Sequence, residues 1–143
     1  MSQNQEWFGT LRLMSGVPTI YASLVETDKL FNSGFHLFTF GLVYGILHNK
    51  KEQNKRTGFV PVATISDNQI KDVLSICYLL LNDGRTTKEI FNEMCEYADG
   101  GVTIINQIYK ENKSFTLPNL IRDAEELWNK RVKDLQNINL AKS

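Results

Sequence analysis

The chain has 143 residues, 42% of them apolar and 10% aromatic, which is enough for one domain to bury a core without disulfides or a structural metal. Sixteen basic residues balance sixteen acidic ones, so no global field draws the molecule to nucleic acid or to an anionic membrane; any such attraction has to be local. The opening MSQNQEWFG lacks the basic head and apolar run of a secretion signal, and Cys77 and Cys95 match neither zinc nor redox spacing, so a cytoplasmic location is expected.

Residues 1–16 read as an N-terminal arm in which Leu11 and Leu13, flanking Arg12, alternate as a short strand does. Pro18 suits a first helical turn, and Ile20, Tyr21, Leu24 and Val25 continue it as a short helix from Pro18 to Val25. The stretch 31–48, FNSGFHLFTFGLVYGILH, is apolar on nearly every side and carries no full charge. The run 35–47 within it is shorter than the ~20 residues of a membrane span and holds His36 and Thr39, so the stretch is expected to be the buried central helix, with Asn32 or Ser33 as N-cap. Gly41 and Gly45 each cost about 1 kcal/mol relative to alanine inside a helix, and their spacing predicts close approach of another backbone.

Residues 49–58, NKKEQNKRTG, read as an exposed loop, and 59–65, FVPVATI, as an edge strand or extended segment able to pair with residues 10–14. Ser66 and Gln69 form a capping-box pattern before Ile70, Val73, Leu74, Cys77, Leu80 and Leu81, a helix expected to stop near Asn82-Asp83-Gly84. Thr86 and Glu89 repeat the pattern before Ile90, Phe91, Met94, Cys95 and Ala98; the glycines of Asp99-Gly100-Gly101 predict a stop, with a separate helix from Val102 to about Asn112. Leu120, Ile121, Ala124, Leu127, Trp128, Val132 and Leu135 predict a long C-terminal amphipathic helix over 117–136. The expected fold is mainly α: a single-domain bundle of five or six helices around a buried central helix, with a short two-stranded β element.

No catalytic constellation, metal site or cofactor motif stands out, so the chain reads as a non-enzyme. His36 and His48 lack metal-ligand companions and read as a polar core group and an exposed helix end. Glu89, Glu93, Glu96 and Asp99 read as a solvated helix face, the alternative being a divalent-cation site of a small nuclease or hydrolase. Lys50, Lys51, Lys55 and Arg56 form a local positive cluster: a solubilising loop, or a contact to DNA phosphates without base specificity. Such contacts bind at only ~10⁻⁴ to 10⁻⁶ M, so a useful role needs a dimer or a larger complex. Trp128, Leu127, Val132 and Leu135 form a stripe that can dock on another subunit or a second copy, or pack on its own domain.

From Ile20 to Ile108 the order of these segments, FNSGFHLFTFGLVYGI into NKKEQNKR, a helix after VATISDNQI, then EIFNEMCEYADGGVTII, resembles a family of small bacterial proteins associated with DNA phosphorothioation and related phage-defence operons. The resemblance implies an accessory subunit beside modification or restriction machinery, commonly alongside ATPases or nucleases, and it carries over no catalytic residue. The alternative is a small helix-turn-helix-like DNA-binding transcriptional regulator built from the Ser66 and Thr86 helices. Against it, Glu89, Glu93 and Glu96 stand where a recognition helix carries Arg, Lys, Asn or Gln.

Overall fold

The computed structural model describes residues 11–53, 55–61 (backbone only for 59–61) and 65–112, and beyond them 116, 118–119, 121–122, 125–126, 128–130 and 133–134. In chain order these form strand β1 (Arg12–Ser15), helix α1 (Pro18–Tyr21), a π-helical stretch (Ala22–Thr27), helix α2 (Gly34–Leu47), strand β2 (Thr57–Pro61), helix α3 (Asn68–Leu81) and helix α4 (Thr87–Glu111). Most described residues between 118 and 134 are again helical. The fold is mainly α, with one small antiparallel sheet.

β1 pairs with β2 in the register Leu13↔Val60 and Met14↔Gly58, which leaves Phe59 as an extra residue on β2, a bulge that twists the pair. Alternation places Leu13 and Ser15 inside and Arg12 outside. The arm expected over 1–16 is thus part of the fold from Arg12 onward, and residues 1–10 lie outside the described residues. β2 also begins earlier than the expected 59–65. The first helix becomes π-helical after Tyr21 and ends by folding back, the Leu24 carbonyl accepting from the N–H groups of Leu30 and Phe31.

Ser33 N-caps α2, its hydroxyl accepting from the His36 N–H. Because α2 is apolar all round, it serves two cores. Phe38, Leu42 and Ile46 join Leu13, Leu74, Phe91 and Met94 in one; Leu37 and Tyr44 join Leu24, Phe31, Val102 and Ile105 in the other. Both cores are held by the crossing of α2 on α4, where backbones touch. A Cβ on Gly45 would overlap the Tyr97 carbonyl, and one on Gly101 would overlap the Gly41 carbonyl.

That crossing overturns one expectation. Gly100-Gly101 does not end a helix: α4 runs unbroken through both, and the separate helix from Val102 is its second half. The glycines are fully buried, and their missing side chains make room for α2 and for the Lys50 carbonyl. The helix end that was expected near Asn82 is observed, with Gly84 at φ 95° completing the turn. The α3 N-cap is Asp67, one residue after the expected Ser66; its Oδ1 accepts from Gln69 and Ile70 N–H at 2.9 and 3.2 Å. Thr86 caps α4 as its sequence pattern predicts.

Candidate functional site

The loop after α2 is laid antiparallel along α4. Lys50 N–H donates to the Gly45 carbonyl at 2.8 Å, and Glu52 N–H to the Glu96 carbonyl at 3.0 Å. Side chains add to this: Lys51 Nζ lies 3.5 Å from Glu93 Oε2 and 5.4 Å from the Tyr97 ring centroid, and the Arg56 guanidinium donates to Asn92 Oδ1. Of the four cations read as one cluster, Lys51 and Arg56 are therefore drawn onto α4, while Lys50 and Lys55 stand exposed. The local field is correspondingly weaker than four neighbouring charges imply.

The carboxylates Glu89, Glu93 and Glu96 of α4 border one cleft, which Arg12, Arg85 and Lys88 also line. Glu93 takes Lys51 on one side and Arg85 at 3.2 Å on the other; Glu89 accepts from the Thr86 hydroxyl. Hydrogen bonds to Asp83 and then Glu93 raise the Arg85 guanidinium above its ordinary value. Asp99 is buried, its oxygens accepting from the Ser15 hydroxyl at 3.1 Å and the Gly16 N–H at 3.0 Å. Loss of water pushes its pKa up, opposed by those two hydrogen bonds and by the charge of Arg56. Burial likewise pushes the Cys77 and Cys95 thiols up to about 12 and about 11, which makes them packing groups rather than nucleophiles.

His36 is half-buried and joins two helix starts. Its Nδ1 lies 2.6 Å from Ser33 Oγ and its Nε2 3.6 Å from Asp67 Oδ2. Ser, His and Asp are the residue types of a hydrolase triad, but the geometry is that of a clasp. Ser33 Oγ is occupied as the α2 cap, Asp67 Oδ1 as the α3 cap, and 3.6 Å exceeds a hydrogen bond. His48, at the C-cap of α2, is the exposed helix end expected and stacks on Tyr44.

His36 and Asp67 also border a cleft of about 560 Å³ between α2, α3 and the C-terminal helical residues, walled by Phe40, Val43, Ile70, Val73, Ile121 and Trp128. Trp128, read as the centre of a docking stripe, is half-exposed along this cleft; Leu127, Val132 and Leu135 lie outside the residues whose side chains are described. Next to the cleft, α3 turns Ile76, Leu79 and Leu80 to solvent at 49%, 56% and 51% exposure. Leu80, counted from periodicity as a core position, thus faces outward: α3 is apolar on two sides, and repeat spacing does not tell them apart. Among the described residues no group of three or more His, Cys, Asp or Glu is placed to hold a metal ion, and no helix is long and apolar enough to cross a membrane.

No protein-family model, curated protein or solved structure matches the chain.

Proposed function

We propose that the chain is a non-enzymatic accessory subunit of a bacterial DNA-modification, restriction or antiphage complex, a helical interaction module docked through α3. The observation that carries the docking role is the outward apolar face of α3. Ile76, Leu79 and Leu80 recur at the i, i+3, i+4 spacing of one helix face and are about half exposed, although the same helix already buries Ile70, Leu74 and Cys77. A second subunit of the complex, such as an ATPase or nuclease, covers that face. The defence setting rests on the family resemblance of residues 20–108. Lys50 and Lys55 supply weak contact to DNA phosphates once the complex holds them in place.

The regulator reading is the weaker one. α3 and α4 are consecutive helices with a short turn, but the outward face of α3 is apolar, and α4 carries Glu89, Glu93 and Glu96. Purification of the tagged chain from its own cells, with and without nuclease, tests the proposal. A stoichiometric modification enzyme, ATPase or nuclease that survives nuclease treatment and is lost with Leu79→Asp/Leu80→Asp supports it; a chain recovered alone, or with partners that leave with the DNA, overturns it.

A further inference from the structure

We infer that the cleft between α2, α3 and the C-terminal helical residues is a binding site for a small amphipathic cation, a compact apolar body carrying a protonated amine. Its volume of about 560 Å³ lies within the ~300–1,000 Å³ of small-molecule sites, and its walls are largely aliphatic and aromatic. Thr39, Gln69 and Asn129 add neutral polar groups, and the carboxylates at the rim are all of one sign. Asp67 and Glu125 contribute carboxylates, His36 an imidazole, and among the described residues no lysine or arginine lines the space.

Both carboxylates have capacity left for a ligand. Asp67 Oδ1 is committed to two backbone N–H groups, but among the described residues its Oδ2 has only His36 Nε2 at 3.6 Å, beyond hydrogen-bond length. Among the described residues Glu125 has no ion pair or hydrogen bond. An apolar guest pushes water off these oxygens. If it is neutral they are left poorly solvated, if anionic it is repelled, and if cationic it replaces the lost water with a charge-assisted hydrogen bond. Phe40 and Trp128 among the walls supply aromatic rings of the kind that attract a cation. The cleft shares Ile76 with the docking face proposed for α3, but titration of the chain alone needs no docked partner, so the two readings fail separately.

Calorimetric titration of the full chain with 4-phenylbutylamine, 4-phenylbutan-1-ol and 4-phenylbutyrate tests the inference. The amine is expected to bind at one site at least about tenfold more tightly than the alcohol, equivalent to about 1.4 kcal/mol, with the acid weakest. Asp67→Asn/Glu125→Gln retains a capping residue at position 67 and should bring the amine down to the affinity of the alcohol. Ile76→Trp, which fills the cleft from a half-exposed position, should abolish binding of both. Equal affinity for amine and alcohol, no saturable heat with any probe, or an amine preference that survives loss of both carboxylates overturns it.

Discussion

Adding one methyl group at the α2–α4 crossing probes the fold most sharply. In Gly101→Ala the new Cβ would overlap the Gly41 carbonyl oxygen and also meet the Gly45 backbone nitrogen at 2.7 Å, inside the 3.0 Å that side-chain carbons keep from other atoms. No rotamer relieves this, because the obstructing atoms are backbone of a helix packed on both sides. Overpacking of this kind costs about 1–3 kcal/mol and occasionally more, and a backbone obstruction belongs at the upper end. Alanine returns about 1 kcal/mol of helix propensity, so a net loss of about 2 kcal/mol is expected, a large part of the ~5–15 kcal/mol that a domain has. At about 3–4 °C per kcal/mol for this chain length, the melting temperature should fall by roughly 6–8 °C. Gly45→Ala should match it. Gly41→Ala should cost less, since its closest neighbour is the Val102 side chain, though the Ala98 carbonyl at 2.7 Å still resists. Urea and thermal melts followed by circular dichroism, with Gln107→Ala on the exposed side of α4 as control, provide the measurement. A Gly101→Ala protein as stable as the parent would refute the close crossing.

Asp99 should make stability depend on pH in the direction opposite to a salt-bridged carboxylate. Its folded pKa is raised above the ordinary 3.8, so its contribution is most favourable below 3.8 and is lost as pH rises through the folded value. Asp99→Asn, which keeps an acceptor for Gly16 and places its amide against Ser15, should equal or exceed the parent at pH 7 and flatten that dependence in urea melts; Asp99→Leu should lose about 1–3 kcal/mol for each donor left unsatisfied. Cys77 and Cys95 should resist a thiol reagent at pH 8 until denaturant opens the core, and rapid labelling of the native protein would contradict their burial. Thr86→Ala should cost about 1 kcal/mol in a urea melt through loss of the α4 cap, and a neutral result would remove that role.

Much of this architecture is legible in the order of the residues. A helix without a polar face must be buried, and α2 is; Gly41 and Gly45 imply a close neighbour, and α4 supplies it. The same logic fails at Gly100-Gly101, because glycine is both the usual residue after a helix end and the residue that lets two helices touch. Only the partner, more than 50 positions away in the chain, decides between these roles. Side-chain reach hides the His36–Asp67 contact in a similar way, since it joins two helix starts that are distant in sequence. Periodicity finds that α3 is amphipathic but not that Ile76, Leu79 and Leu80 form a second apolar face, and the Lys51 and Arg56 contacts to α4 are invisible in a run read as loop.

The outward face of α3 is the element on which the proposed role depends. Hydrogen–deuterium exchange on the chain alone and in its nuclease-treated complex addresses it directly. The added protection in the complex is expected on residues 76–81 of α3. Added protection confined to residues 49–56, or none anywhere, would contradict it.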